Sequence, residues 1–260
     1  MTITVPEQLT ARSRRRGIGG YLVTPTVLVG ILLATYALIA AYLHANDRAL
    51  DSIEERRVNL TFITQATIQH ITLTAVSTLL VLLIAIPVGI LLTRPFTRRI
   101  TPAAVTVFNI GQAVPSIGLL VLFAIGWGIG FWPAIVALVA YSALPVLRNT
   151  MIGLTQVDAA VVESGRGMGM SRLGVLTRIE LPLAVPVILI GLRTALVINV
   201  GTATLVALTN AGGLGAIIVT GLVQNRPVVT VVGSVLTAVL ALFIDYLGRV
   251  AEDVLRPRGL

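Results

Sequence analysis

The sequence predicts an all-α integral membrane protein with about six transmembrane helices, and two properties of its 260 residues support this. Hydrophobic residues make up 56% of the chain and charged residues only 12%, with a mean hydropathy of +0.95. A soluble domain of this size could not keep so much apolar surface away from water. The apolar residues also form long runs separated by short polar segments, which is typical of a multi-pass membrane protein.

A helix that crosses the roughly 30 Å hydrocarbon core needs about 20 mostly apolar residues. We place six such spans at residues 22–43, 69–92, 103–125, 132–148, 184–208 and 228–247. The third and fourth spans belong to one stretch without charge between Arg99 and Arg148, which as a single helix would be about 72 Å long. The chain must therefore turn back within this stretch, and residues 126–133 supply the glycines, proline and aromatic residues of a turn at a membrane surface.

The arginines predict the orientation, because cytoplasmic loops retain basic residues close to the membrane. The sequence contains no lysine, so all 19 basic residues are arginines. If both termini are cytoplasmic, that side receives Arg12, Arg14, Arg15, Arg16, Arg94, Arg98, Arg99, Arg148, Arg166, Arg172, Arg178, Arg249, Arg256 and Arg258. The outer side receives only Arg48, Arg56, Arg57 and Arg226, together with the acidic residues Asp47, Asp51, Glu54 and Glu55. The sequence therefore predicts that both termini, and the polar segment after the fourth span, face the cytoplasm.

Composition excludes several classes of function. The net charge of +8 is spread between apolar runs rather than gathered on one segment, so nucleic-acid binding is not expected. A Walker A phosphate loop requires a lysine, so any ATP hydrolysis must be performed by another chain.

No cysteine is present, and His44 and His70 lack metal-ligand spacing, so we expect no metal site and a structural role for each histidine. The apolar run 21–43 exceeds a signal-peptide core and is expected to remain as the first span.

The polar segment between the fourth and fifth spans contains the most informative motif. It reads Glu163-Ser164-Gly165, three residues, Gly169, nine residues, then Ile179-Glu180-Leu181-Pro182. Asp158 is a plausible N-cap for a short helix over residues 159–168, Ser171 can cap a second helix, and Pro182 is expected to disturb the chain where it re-enters the membrane. We therefore predict two short helices with a bend. A helix of about ten residues is marginal in water, so it needs a docking surface, unless the segment is an amphipathic connector lying on the membrane.

This motif resembles the cytoplasmic loop signature of bacterial ABC-importer permeases. That signature reads Glu-Ala-Ala, three residues, Gly, nine residues, Ile, any residue, Leu-Pro, and here Ser164 and Gly165 replace the two alanines. The resemblance implies that residues 155–182, which we call the coupling loop, contact a separate ATPase. The residues that carry this expected role are Glu163, Ser164, Gly165, Gly169, Ile179, Leu181 and Pro182.

Further segments resemble permeases of the osmoprotectant importers for glycine betaine, choline, carnitine or proline betaine. These segments lie at residues 109–116, 144–150, 191–195 and 199–215, and the resemblance covers roughly residues 65–225. It implies a type I ABC-importer permease of the MetI-like fold that pairs with a second permease, identical or related. Two ATP-binding subunits would hold ATP and Mg, this chain would bind no cofactor, and a separate extracytoplasmic binding protein would deliver the solute to the inner membrane.

The resemblance also divides the chain into three parts. Residues 1–60 form an N-terminal tail, first span and outer segment that fit the family poorly. Residues 61–225 form the permease core, and residues 226–260 form the last span and a cytoplasmic tail.

Residues that interrupt the apolar spans are candidates for a solute pathway or gate, because polar groups in hydrocarbon need partners or a wet cavity. These residues are Asn109, Gln112, Pro115 and Ser116 in the third span and Arg193, Asn199 and Thr202 in the fifth. Interhelical hydrogen bonds are an equally good interpretation of the uncharged residues. Arg193 should face the bundle interior or extend to the cytoplasmic edge, in a structural or gating role.

Three alternative functions remain. A permease for another small solute, such as methionine or another amino acid, would share the loop signature. A gradient-driven carrier would need an intramembrane carboxylate, and the spans offer only Asp245 at an edge. A membrane enzyme lacks a catalytic constellation.

Overall fold

A computed structural model of the chain describes residues 18–45, 47 and 49–255, and this described part is helical with connecting turns. Several arginines used to predict the orientation lie outside the described residues, namely Arg12, Arg14, Arg15, Arg16, Arg48, Arg256 and Arg258.

The helices are α1 Ile18–Ala45, α2 Ser52–Val58, α3 Leu60–Leu92, α4 Thr101–Ala113, α5 Ser116–Trp127, α6 Phe131–Thr155, α7 Ala159–Gly167, α8 Arg172–Val175, α9 Leu181–Thr202, α10 Gly215–Val223 and α11 Pro227–Leu255. In the described part of the chain, five helical segments are long and apolar enough to cross a membrane: Thr24–Ala45, Leu60–Leu92, Phe131–Thr155, Arg172–Thr202 and Pro227–Val254. The pair α4 and α5 makes a sixth candidate span. About six spans are therefore confirmed.

Helices α3, α6 and α9 form the centre of the bundle. Their buried residues include Leu73 and Val81 of α3 and Leu147 of α6. Helix α9 approaches α6 closely at Gly191, where a Cβ would lie 2.8 Å from the Pro145 carbonyl oxygen. Small residues that permit such close approach are typical of helix packing in membranes, where van der Waals contact replaces the hydrophobic effect.

The remaining helices surround this centre. Helices α4 and α5 pack on α6, α11 packs on α9 and α10, and α1 packs on α11. Because consecutive long helices alternate in direction, the coupling loop lies at one end of the bundle, which we call the loop end. Helix α2 lies at the opposite end, where Asp51 just before it forms an ion pair of 3.0 Å with Arg226.

The third span, predicted at residues 103–125, consists of two helices with a sharp bend between them. Helix α4 ends at Ala113, α5 begins at Ser116, and their axes differ by 98°. Pro115 has no backbone N–H and forces the preceding residue out of the helical region, so Val114 adopts φ −74° and ψ 133°. The turn predicted at residues 126–133 is present, and Gly128 and Gly130 adopt φ values of +95° and +134° there.

The fifth span also differs from its predicted limits of 184–208. The helix begins in the coupling loop at Arg172, continues to Thr202 with a π-turn at Leu176–Glu180, and is followed by a separate 3₁₀ turn at Leu205–Thr209. The expected second short helix is present as α8, but it runs on into α9, and the expected disturbance at Pro182 is the π-turn just before it. The wider π-turn just before Pro182 accommodates its ring, which in a regular helix would clash with the carbonyl four residues earlier.

Candidate functional site

Helix α7, the first helix of the coupling loop, begins and ends close to the predicted residues. Its N-cap Asp158 accepts a hydrogen bond of 2.8 Å from a backbone N–H of the first turn. At the other end, Gly169 adopts φ +83°, a conformation that favours glycine. Its N–H donates to the Arg166 carbonyl at 2.9 Å, and the Met170 N–H donates to the Gly165 carbonyl at 3.2 Å. These bonds form a Schellman motif, which explains the glycine at position 169.

Gly165 and Ile179, from the two halves of the motif, lie against each other. Gly165 is buried, and a Cβ placed on it would lie 2.5 Å from Ile179 Cδ1. The nearest atom is the end of a flexible side chain, so a small residue at position 165 is required but glycine itself is not. The structure thus brings together two predicted site residues that are distant in the motif.

Most of the outer surface of α7 and α8 is exposed. Glu163 and Ser164 are exposed, and the Ser164 hydroxyl donates within its own helix to the Ala160 carbonyl at 2.8 Å. Met168 and Leu173 are apolar, yet they are 76% and 68% exposed. They lie in the polar segment between the predicted fourth and fifth spans. These two apolar side chains are therefore accessible to a partner that docks on the coupling loop.

The second half of the coupling loop joins α9 directly. The Ser171 hydroxyl accepts a hydrogen bond of 3.1 Å from the Gly174 N–H and so caps α8, as predicted. Leu181 and Pro182 are the first residues of α9, and Leu181 packs on a buried cluster that includes Leu154 of α6. The last residues of the motif are therefore part of the packed helix bundle.

Glu180 is a functional candidate that the sequence analysis missed. It is only 7% exposed, and its Oε2 lies 2.6 Å from Nη2 of Arg94, which follows α3. The signal available in the sequence was an acidic residue between Ile179 and Leu181, at the position where the motif accepts any residue. A buried carboxylate requires a partner, but the sequence does not indicate which arginine supplies it.

The candidates of the third span surround the bend between α4 and α5. Asn109 of α4 accepts a hydrogen bond of 2.8 Å from Arg148 Nη2 of α6. Gln112 and Ser116 are half-buried and Pro115 is exposed. Arg148 was not among the predicted site residues, although it lies in one of the family-like segments.

Arg193 faces α11. Its Nε donates to Asp245 Oδ1 at 2.5 Å, and its Nη1 lies 3.8 Å from Glu252 Oε2. Asp245 also accepts from Arg249, the helix pair expected four residues away in α11. The guanidinium thus has ionic partners between two helices, which is how a charge inside a membrane span is commonly accommodated.

Asn199 and Thr202 of the fifth span are buried, and Asn199 contacts α3. Asn199 is fully buried, and its Nδ2 donates to Thr78 Oγ1 at 3.0 Å. Thr202 is 9% exposed. Because Asn109 bonds to α6 and Asn199 to α3, hydrogen bonding does not join these two candidates into one site.

Comparisons with known proteins place these features in a family. Residues 85–258 match the family described as "Binding-protein-dependent transport system inner membrane component". The choline transport system permease protein OpuBB of Bacillus subtilis (strain 168) is 41% identical over 194 residues, which are 75% of this chain and 88% of that protein. The osmoprotectant import permease protein OsmY of Salmonella typhimurium is 37% identical over 220 residues, covering 85% of this chain and 91% of that protein.

Solved structures show the same fold. The inward-facing MetNI methionine ABC transporter contains a chain that matches with a TM-score of 0.68 and 25% identity, over 76% of this chain and 98% of that chain. A chain of an amino acid ABC transporter crystallised with histidines matches with a TM-score of 0.65 and 17% identity, over 79% of this chain and 99% of that chain.

Proposed function

Because the chain belongs to the family of binding-protein-dependent transport system inner membrane components, we propose that it imports quaternary ammonium osmoprotectants as the membrane-spanning subunit of an ATP-driven importer. The chain is a multi-pass inner-membrane transport subunit and not an enzyme. The solutes are glycine betaine, choline, carnitine or proline betaine, taken from a binding protein. The similarity to permeases named for choline, carnitine and osmoprotectant transport carries this proposal.

The coupling loop is the proposed contact with the ATPase. In this proposal the loop end of the bundle faces the cytoplasm, as the arginine distribution favours. The exposed Glu163, Met168 and Leu173 then present a mixed polar and apolar surface to an ATPase groove. The capped ends of α7 keep this surface rigid enough to transmit a movement.

The proposed assembly contains two permeases, identical or related, and two ATP-binding subunits. ATP and Mg are bound by the ATPases, and a separate extracytoplasmic protein delivers the solute. Closure of the ATPases on ATP draws the two coupling loops together and turns the bundles from inward-open to outward-open, and hydrolysis resets them. The transporter therefore has two global states that respond to ATP and to solute.

Transport in proteoliposomes tests this function. The permease is reconstituted with its ATPase subunits and binding protein, and uptake of radiolabelled glycine betaine is measured with ATP inside the vesicles. We expect uptake that requires ATP and the binding protein and that unlabelled carnitine or choline inhibits. Inhibition by methionine alone would favour an amino-acid permease, and uptake without the ATPase would favour a gradient-driven carrier.

A further inference from the structure

The ion pair between Arg94 and Glu180 connects the coupling loop to a helix with which the loop is not continuous in sequence. Glu180 belongs to the π-turn that leads into α9, and Arg94 follows the end of α3. The two charged atoms are 2.6 Å apart, and the Glu180 side chain is 9% exposed. At this distance and burial the pair is much less screened than a surface ion pair.

Arg94 is held in position on its own side of this contact. Its Nε donates to the Ile90 carbonyl at 3.2 Å, while its Nη2 donates to Glu180. The guanidinium therefore bridges the last turn of α3 and the π-turn. Its side chain is 25% exposed, and the carboxylate it contacts is buried further.

The π-turn directs two consecutive side chains toward two different helices. Ile179 lies against Gly165 of α7, and Glu180 lies against Arg94 at the end of α3. A π-turn is a rare local conformation that is frequent at functional positions. This single turn therefore connects α7 to α9 along the backbone and to the end of α3 through the ion pair.

The other half of α3 is attached to a glycine-rich turn. Gln69 Oε1 accepts from the Gly213 N–H at 3.1 Å, and His70 Nδ1 accepts from the Leu214 N–H at 3.3 Å. His70 is fully buried, and its Nε2 donates to the Val200 carbonyl of α9 at 3.0 Å. Since Nδ1 accepts and Nε2 donates, both nitrogens of a neutral imidazole are used.

These contacts attach α3 at two places, at Gln69 and His70 and at Arg94 just after its last residue. From Gln69 to Leu92 the helix is about 35 Å long at 1.5 Å per residue. Pro87 removes one backbone hydrogen bond within this length, but Val81, Ala85 and Leu92 pack on α6 on both sides of it, which holds the two parts of the helix together as one element.

We propose that Arg94 and Glu180 are positioning residues that transmit movement of the coupling loop to α3 and, along it, to the glycine-rich turn at residues 212–215. This inference rests on the proposed docking of an ATPase on the coupling loop. Without the ion pair, movement of the loop still reaches α9, but in the described part of the chain α3 is then hydrogen-bonded to α9 only through His70 and Thr78, far from the coupling loop. ATP hydrolysis then continues with little solute moved.

The first test compares Arg94→Gln, Glu180→Gln and the charge-swapped double variant Arg94→Glu/Glu180→Arg in the reconstituted importer. Solute transported per ATP hydrolysed is expected to fall about fivefold or more in each single variant, the lower part of the usual range for coupling between sites. The charge-swapped variant should recover most of this ratio. Arg98→Gln removes an exposed arginine from the same segment and should leave the ratio unchanged.

Single variants that transport as much solute per ATP as wild type would overturn the proposal. A charge-swapped variant no better than the single variants would do the same. If the wild-type complex shows no ATP-driven uptake of glycine betaine at all, the proposed function fails instead, so the two failures are distinguishable.

A distance measurement keeps the proposal testable if a variant transports too little to assay. The sequence contains no cysteine, so Thr72→Cys on α3 and Ser234→Cys on α11, both at exposed positions, can carry a pair of spin labels. In the complex with its ATPases, a non-hydrolysable ATP analogue is expected to change the distance between the labels. Glu180→Gln should abolish that change. An unaltered change in Glu180→Gln, or no change in the wild-type background, would contradict transmission through this pair.

Discussion

Gly165 of α7 and Ile179 of the π-turn are in contact across the coupling loop, so that a Cβ on residue 165 would lie 2.5 Å from Ile179 Cδ1. This contact joins the segment proposed to meet the ATPase to the segment that enters the bundle. It also explains why the motif needs a small residue at this position.

Gly165→Ala should retain ATP-driven uptake. The end of the Ile179 side chain can move to admit one methyl group, and alanine improves helix propensity by about 0.5–1 kcal/mol. Gly165→Leu should lose uptake, because its side chain cannot fit between α7 and the π-turn. The measurement is uptake in proteoliposomes together with co-purification of the ATPase. Equal loss in both variants would contradict this packing.

Gly169→Ala should weaken the end of α7 by about 1–2 kcal/mol, because an L-residue is strained at φ +83° even though the surrounding space is open. Gly167→Ala is the matched control. Gly167 is also in open space but is helical with no positive φ, so alanine there should be neutral or stabilising. Hydrogen exchange of α7 in the purified complex measures both effects. Identical hydrogen exchange of α7 in the two variants would show that the positive φ of Gly169 is not needed to end the helix.

Glu163→Arg should uncouple ATP hydrolysis from uptake, because it reverses an exposed charge on the proposed ATPase contact. The thermal stability of the permease should be unchanged, since the side chain is not part of the buried bundle. Replacing Gly169 with a bulky or charged residue should also uncouple ATP hydrolysis from uptake. Unchanged uptake by Glu163→Arg in proteoliposomes would remove Glu163 from the contact.

Arg193→Met and Asp245→Leu should each reduce the stability of the permease by about 2 kcal/mol, because each removes the nearest partner of a charge between α9 and α11 and leaves only the second one, Arg249 or Glu252. The double variant should be more stable than the sum of the two losses predicts. Arg249→Gln, which removes only the second partner of Asp245, is the control and should have a smaller effect. Thermal unfolding in detergent gives these values, and strictly additive losses would show that the pair is not coupled.

Gly215→Ala should destabilise the bundle by about 3 kcal/mol, because a Cβ there would lie 1.9 Å from the Thr204 carbonyl oxygen and the obstacle is backbone. Gly201→Ala should be tolerated, since nothing lies within 4 Å of the position of its Cβ. Expression level and thermal stability distinguish the two variants. A stable Gly215→Ala protein would mean that the 3₁₀ turn and α10 are less closely packed than described.

Local signals were sufficient to predict much of the coupling loop. Asp158 and Gly169 mark the ends of α7 because capping depends on residues within one turn of the helix. Pro115 was among the residues predicted to interrupt the third span, but the 98° bend there was not predicted, because the apolar run continues through the proline. The sequence also predicted a disturbance at Pro182, where the π-turn accommodates the ring.

Contacts between distant residues could not be predicted in this way. Arg94 and Glu180 are 86 residues apart, and His70 and Leu214 are 144 residues apart. Hydropathy and capping describe neighbours along the chain, so they indicate that a buried charge needs a partner without identifying it. The partner follows only from how α3, α6 and α9 pack.

Cross-linking tests the central claim, that a separate ATPase docks on the coupling loop. In this cysteine-free chain, a single Met168→Cys places a reactive thiol on the exposed surface of the loop, and Leu222→Cys places one at an exposed position on α10. The account predicts that a short thiol cross-linker joins Met168→Cys, but not Leu222→Cys, to the ATPase subunit of the assembled importer. A cross-link from Leu222→Cys and none from Met168→Cys would contradict it.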